Sequence, residues 1–490
     1  MTVTDQTPPK RASTRRPRTA RFSTVGYKSP AERSAQGIAA RANVPPDRHA
    51  DLGPPTDRPD PVSLLEDQAE SRVAELVPIR YGRMLLSPFT FYRGAAAIMA
   101  ADLARRPVSG LTVQLCGDAH LANFGIFGSP ERQLIFDIND FDETYPGPWE
   151  WDVKRLAASF VVAGRENGFS TKERRDVVRA TVRRYQAAMN RFAGMRELDV
   201  WYARAGMKSA QEILSKPLSK AQAKKIGKGG AKARTRDSVQ AYSKFVRDVD
   251  GQRRIVGAAP LIVPVADLLP DADRVALETT ISGLLSRYRR SLPSDRRVLL
   301  DRFWFIDMAR KVVGVGSVGT RCWIVLLNGR DEDDPLFLQV KEAQRSVIAE
   351  HVRAKDLPVF RNEGERVVAG QRLMQTASDI FLGWESVEGI DGQRRDFYVR
   401  QLRDWKGSTV PETMAPGDMA VLGEICAWSL ARAHARSGDR IALASYLGDD
   451  DAIVTAMVEF AERYADQNER DHAALAEAGR SGRIEVQAGL

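Results

Sequence analysis

Two short clusters in this chain have residue types and spacing suited to chemistry. The first is Gly117-Asp118-Ala119-His120-Leu121-Ala122-Asn123; the second is Asp140-Phe141-Asp142. Asp118 and Asn123 are five positions apart, and Asp140 follows Asn123 by seventeen. In a loop, that separation lets a carboxylate point at an acceptor while the amide oxygen reaches a metal. Magnesium takes such oxygen ligands and leaves room for phosphate and water. Asp140 and Asp142 offer further oxygens. Asp137 is a weaker candidate, because strand alternation can aim it elsewhere. A carboxylate near a nucleophile, with oxygen ligands for Mg²⁺, is the acidic half of a phosphoryl-transfer site.

The cationic half comes about two hundred residues later in the chain. Val312–Thr320 is glycine-rich, and Gly314, Gly316 and Gly319 have G-x-G-x-x-G spacing with Ser317 among them. A glycine loop of this spacing lets backbone N–H groups cover nucleotide phosphates, and a strand lysine then holds them. Trp323–Leu327 reads as a buried strand, Asn328-Gly329 as a turn, and Leu336–Lys341 as a strand ending in Lys341. The glycines alone would fit an ordinary turn, and the lysine alone an exposed strand end. Their order is the more specific signal. An acidic partner for Lys341 is expected on the following helix, at Glu350 or Glu365, since Glu342 faces the other side of the strand. Phe397–Leu402 reads as a further strand, and its end at Gln401, Leu402 and Arg403 is the expected contact for a nucleotide base. Arg93 and Lys406 could touch phosphate, although surface ion pairs are the simpler reading. His120 lacks Cys or His partners and reads as a loop-stabilising residue. His434 reads as a helix-end residue acting on carbonyls.

These groups need elements to hold them. Leu111–Cys116 and Leu134–Ile138 alternate as strands, with turn composition at 128–132 between them, so 111–142 is expected to form one hairpin. Helical patterns cover 90–105, 151–164, most of 170–300, 342–352, 363–381 and 417–437. Pro146-Gly147-Pro148 reads as a break. Within 208–236 nine Lys/Arg face a single acid, Glu212, and Gly227, Gly229 and Gly230 interrupt it. That stretch is expected to be a solvated loop, or else a surface for a phosphate-rich substrate.

Composition narrows the field. The chain has 490 residues, 43% of them apolar, with a mean hydropathy of −0.34. It has no apolar run long enough to span a bilayer. Arg15-Arg16 is not followed by an apolar stretch, so no leader is read and a cytoplasmic location is expected. Cys116, Cys322 and Cys426 lie far apart, which argues against a disulfide framework or structural zinc. Of the net charge of +9, +7 falls in residues 1–50. Residues 1–60 are therefore expected to be a disordered basic tail and linker. Nucleic-acid binding through that tail is possible but is not the favoured reading.

Gly117-Asp118-x-His120-x-x-Asn123 resembles the catalytic loop of aminoglycoside phosphotransferases and related kinases, and Asp140-Phe141-Asp142 resembles their metal-binding segment. Trp151-Asp152-Val153 is similar to the downstream segment whose Asp braces the catalytic loop. The resemblance implies Asp118 as catalytic base, Asn123 and Asp140 as Mg²⁺ ligands, and Asp152 as a brace; Asp142 is close enough to serve as a further metal ligand. It also implies ATP on Gly314, Gly316, Ser317, Gly319 and Lys341. The fold implied is α+β, protein-kinase-like and two-lobed, with the catalytic loop ahead of the glycine loop, as a circular permutation would give. The large-lobe part would be 61–310, the small-lobe part 311–405, and 406–490 would complete the large lobe. Phe91-Tyr92-Arg93-Gly94, Leu115–His120, Gly370–Gln375 and Arg400–Asp404 resemble the bacterial domain-of-unknown-function 2252 family, which names no substrate. The expectation is an ATP- and Mg²⁺-dependent phosphotransferase acting on an unidentified small-molecule or protein acceptor. Nucleotidyl transfer, or a non-catalytic nucleotide- or nucleic-acid-binding module, is the alternative.

Overall fold

The computed structural model describes residues 26–53, 58–206, 210–249, 251–268, 274–352, 360–388, 392–402 and 404–490. The chain is a mixed α+β protein with several sheets. The catalytic-loop region is carried by two small ones. β1 (Thr112–Leu115) pairs antiparallel with β4 (Tyr145–Pro148), and β2 (Phe124–Gly128) pairs with β3 (Leu134–Ile138). The hairpin expected over 111–142 is therefore two separate pairings. Phe124–Gly128 was missed because its Gly-Ile-Phe-Gly run has little apolar alternation. Pro146 and Pro148 do not break the chain. β4 has one partner strand, so the N–H groups that proline lacks are not needed on its open edge.

The six-stranded antiparallel sheet comprises β7 (Ile262–Pro264), β8 (Trp304–Lys311), β9 (Cys322–Asn328), β10 (Pro335–Glu342), β11 (Gly383–Glu388) and β12 (Arg394–Gln401), in the order β11-β12-β10-β9-β8-β7. β9 is an unbroken apolar run because both sheet faces are covered. Ile324 and Leu326 pack with Phe245 and Phe337 on one face, and Val325 and Leu327 with Tyr288 and Phe381 on the other. The sheet starts before residue 311, so the expected domain boundary there cuts off β7 and β8. The helical pattern read to 381 ends at Met374, and β11 follows.

The largest core lies among helices. α6 (Trp149–Glu166) and α7 (Thr171–Ala193) pack with helices Pro416–Ser437 and Ala452–Arg480 around Trp149, Phe160, Tyr185, Leu430 and Phe460. α6 is buried all round, which its Trp-rich, Ala- and Val-rich sequence allows.

Two further expectations are corrected. Residues 1–25 and 54–57 of the expected tail lie outside the described residues, but Pro30–Asn43 is a helix, α1. It starts with a capping box between Ser29 and Glu32 and docks on helix Arg440–Leu447 through Gly37 and the Arg33–Asp439 ion pair. Most of the lysine-rich stretch is also helical. Lys220–Arg234 starts with a Ser219–Gln222 capping box and pairs Lys225 with Asp418.

Candidate functional site

The loop after β1 turns sharply at Gly117, whose φ is +83°. A Cβ there would sit 2.1 Å from the Glu143 carbonyl oxygen, so only glycine lets the two acidic segments lie this close. Asp152, one turn into α6 and 1% exposed, fixes the loop from below. Its carboxylate accepts the N–H groups of Cys116 at 2.7 Å and Gly117 at 3.0 Å. Its Oδ2 also lies 3.2 Å from His434 Nε2, while Tyr185 Oη lies 2.8 Å from His434 Nδ1. His434 is thus a buried link between Tyr185 and Asp152, not a cap on helix-end carbonyls.

Asp118 stands on the rim of a cavity of about 220 Å³. Its Oδ1 accepts from Arg155 Nε at 2.6 Å. Arg155 itself is packed under the Tyr92 ring and donates to the Tyr92 carbonyl. The Asp118 Oδ2 faces His120 Nε2 at 3.7 Å. Burial pushes His120 down to about 4, so the ring is neutral near pH 7. The loop is also held by its backbone: His120 N–H donates to the Asp118 carbonyl, and Asn123 N–H to the His120 carbonyl.

Asn123 ties the two acidic segments together. Its Oδ1 accepts the Asp140 N–H at 2.9 Å, and its Nδ2 donates to the carbonyls of Asp118 and Asp140, both at 3.1 Å. Asp140 and Asp142 then meet Lys341 from β10. Lys341 Nζ is 3.1 Å from Asp140 Oδ2 and 2.5 Å from Asp142 Oδ2. The Tyr398 hydroxyl, opposite Lys341 in the β10–β12 register, donates to Asp142 Oδ1 at 2.6 Å. Burial would raise both carboxylates. For Asp140, Lys341 and Arg400 outweigh it and hold the group well below its usual range; Asp142 is raised by burial and by the charge of Asp140. Lys341 is 2% exposed and sits behind the aspartates, while Asp140 is the more open of the two at 39%.

Among the described residues no glutamate lies within ion-pair distance of Lys341, whose partners are Asp140 and Asp142, which corrects the expectation for Glu350 and Glu365. Glu365 accepts the Arg361 N–H at the start of helix Glu363–Met374. That helix sends Arg366 toward the site instead. Arg366 donates to the carbonyls of Asp142 at 2.9 Å, Thr144 at 2.7 Å and Gln344 at 2.7 Å. Glu342 faces away from Lys341 and accepts the Arg321 N–H, as strand alternation requires. Asp137 also faces away, paired with buried Arg432 at 2.8 Å.

The glycine segment joins β8 to β9, and Gly314, Gly316 and Ser317 line the cavity. Gly314 and Gly319 have φ of +69° and +91°. The segment is tied to α3 (Val77–Met84) and its neighbours. Val315 packs with Tyr81 and Met84, and Val318 with Leu76 and Ile79. Arg83 donates to the Gly314 carbonyl, Val73 N–H to the Gly319 carbonyl, and Arg72 to the Val318 carbonyl.

Gln401 and Leu402 are not on the cavity wall. Asp379 accepts both the N–H and the side-chain amide of Gln401, and Leu402 N–H donates to the Phe337 carbonyl. The strand end is thus occupied by internal bonds, and Arg403 lies outside the described residues. Arg93 and Lys406 do line the cavity, contrary to the surface reading. Sequence reasoning missed Arg155, Arg366, Tyr398 and Glu143. Arg155 had a signal, three residues after Asp152 on the same buried helix.

A family model described as an uncharacterized protein conserved in bacteria, DUF2252, matches residues 72–478. No curated protein and no solved structure matches the chain.

Proposed function

Because the chain belongs to the bacterial DUF2252 family, which brings no activity with it, we propose its function from the site: an ATP- and Mg²⁺-dependent phosphotransferase with a protein-kinase-like, permuted, two-lobed fold. The observation that carries this reading is the meeting of Lys341 with Asp140 and Asp142 across some two hundred residues of chain, beside a glycine loop. The order of parts agrees with it. A strand, a glycine loop, a strand, a lysine strand and then a helix are what a nucleotide-covering lobe requires. The bracing of the Cys116 and Gly117 N–H groups by Asp152 fits the same pattern.

The residues present suit Mg²⁺. Among the described residues no group of three or more His, Cys, Asp or Glu side chains is arranged to hold a metal. Magnesium bound with phosphate needs only one or two carboxylates. Asp140 is the open carboxylate, Asp142 stands beside it, and the Asn123 amide oxygen keeps a second lone pair beyond its bond to Asp140. Asp140, Asp142 and the Asn123 amide oxygen would hold the metal, which would supply neutralising charge to phosphate oxygens. Lys341 keeps the two carboxylates aligned and reaches phosphate once it parts from Asp142. In the transfer, an acceptor hydroxyl gives its proton to Asp118 Oδ2. The acceptor oxygen bonds the γ-phosphorus, and the bond from that phosphorus to the ADP oxygen breaks. Arg155 keeps Asp118 oriented through its Nε bond to Oδ1.

Thermal stability with ATP, ADP and GTP, each with and without Mg²⁺, tests the reading. Mg-ATP should raise the melting temperature of the wild type and leave Lys341→Met and Asp140→Asn unmoved. A ligand at a hundred times its Kd adds about 2.7 kcal/mol. Absence of a shift with every nucleotide in the wild type removes the basis for the phosphotransferase.

A further inference from the structure

Several buried arginines in this protein have carboxylate partners. Arg58 pairs with Asp102 and Asp471, Arg155 with Asp118, Arg432 with Asp137, and Arg440 with Glu197. Four arginines on the cavity wall break that habit, one of which, Arg400, gives its side chain to the Asn139 carbonyl and the Gln339 amide oxygen. Arg72, Arg80 and Arg93 have no carboxylate within ion-pair distance among the described residues, and the Nε of each is buried without a partner. Among the described residues the Arg72 side chain bonds only the Val318 carbonyl. Arg80, 0% exposed, bonds the carbonyls of Leu65 and Gly94 and the Gln68 side chain. Arg93 makes no side-chain hydrogen bond at all among the described residues. Burying a cation costs free energy that an uncharged carbonyl returns only in part, so three such groups in one corner favour an anion there.

The corner has a definite place. The Arg93 carbonyl oxygen lies 3.1 Å from where a Cβ on Gly316 would stand, which puts Arg93 at the tip of the glycine loop. Asp118 is the first carboxylate whose charge acts on Arg93, and Arg93 in turn acts on His120. Arg400 belongs to the opposite end, where it donates to the Asn139 carbonyl beside Asp140. The cavity thus has two cationic ends: one at the carboxylates proposed for metal and nucleotide, the other beside the proposed base.

We propose that Arg72, Arg80 and Arg93 form an anion subsite for the acceptor, which therefore already carries a phosphate monoester or an equally dianionic group. This rests on the phosphotransferase reading for the word acceptor, but the subsite can be tested apart from it. Three cations suit a dianion better than a single carboxylate, and the planar guanidinium fork matches phosphate geometry.

Calorimetric titration of the full chain with inorganic phosphate, and separately with acetate, tests the subsite with and without a saturating non-hydrolysable Mg-ATP analogue. Phosphate should bind in both conditions and acetate at least tenfold more weakly. Arg93→Ala, which removes no hydrogen bond the fold uses, should weaken phosphate at least tenfold, Arg93→Lys less, and neither should alter nucleotide affinity. Lys341→Met should leave phosphate binding intact. Equal phosphate binding by wild type and Arg93→Ala, or no binding by either, overturns the subsite. Expulsion of phosphate by the nucleotide analogue also overturns it, because the arginines then hold the nucleotide's own phosphates. Arginine-dependent phosphate binding in a protein that binds no nucleotide upholds the anion site and sinks the phosphotransferase instead.

Discussion

Asp118 and Asp152 are both acidic and both near the loop, but their surroundings give them different work. Asp118 keeps one oxygen toward the cavity, so Asp118→Asn should retain the Mg-ATP thermal shift while losing turnover, read as ADP release with acceptor present. Full turnover in that variant would sink the base assignment. Asp152 spends its oxygens on two backbone N–H groups and His434. Each buried donor left unpaired costs about 1–3 kcal/mol. Asp152→Ala should therefore lower unfolding free energy by about 3 kcal/mol in a urea titration, and its catalytic loss should follow from loop disorder. The same logic explains the chemistry of the aspartate pair. Asp140 is kept ionised by Lys341 and Arg400, while Asp142 pays for being second in line through burial and the charge of its neighbour.

The elements decide how close these groups come. The acidic segments approach because Gly117 allows a left-handed turn against Glu143. Gly117→Ala should cost at least about 2 kcal/mol, since the strained conformation alone costs ~1–2 kcal/mol and the methyl meets a carbonyl. A thermal midpoint equal to that of the wild type would refute this account of the turn. The glycine segment is fastened at both ends by α3 and its neighbours, so its conformation depends on a helical layer that precedes β1 in the chain. Helix Glu363–Met374 delivers an arginine to the carbonyls of the Asp140–Asp142 segment where a glutamate for Lys341 was expected. Lys341 needs no glutamate, because two aspartates already neutralise it.

At the scale of the whole molecule, residues 30–50 are bound to the helices near the other end of the chain. His49 sits between Trp149 and Tyr446, 0% exposed, with its Nε2 2.6 Å from the Tyr446 hydroxyl, which donates to the Val44 carbonyl. His49 Nε2–H is then the donor to Tyr446, and Nδ1 has no partner among the described residues. Burial, with the charge of Lys154, pushes His49 down to about 3. The unfolded chain takes up this proton from about pH 6.5. The folded chain does so only near 3, so stability is lost as pH falls through that window. Between pH 7 and pH 5 the loss from this group should be about 2 kcal/mol, at ~1.4 kcal/mol per unit. His49→Gln should show a drop smaller by that amount in urea titrations at the two pH values; an unchanged slope would place the acid sensitivity elsewhere. Deleting residues 1–52 should lower stability by at least about 3 kcal/mol, since it uncovers Trp149 and Tyr446, and each large apolar side chain is worth ~1.5–3 kcal/mol. No helix among the described residues is long and apolar enough to cross a membrane.

Local sequence determined the strands that flank the chemistry, the helix ending at Ser437, the order of glycine loop, strand and lysine strand, and the segregation of basic charge at the start of the chain. Alternation, caps and turn residues act over a few positions, so they are readable without the fold. Those signals could not show that Lys341 meets Asp140 and Asp142, because that contact spans the chain and depends on the register that sets Tyr398 opposite Lys341. Nor could they show that Phe124–Gly128 intervenes as a strand, that Arg366 replaces the expected glutamate, or that Gln401 is already satisfied by Asp379. Each of these is a choice among chemically equivalent partners, and only three-dimensional packing selects one. The same holds for the three unpaired arginines. Their sequence context matches that of any surface arginine, and only the cavity that gathers them, without an ion-pair contact among the described residues, distinguishes them.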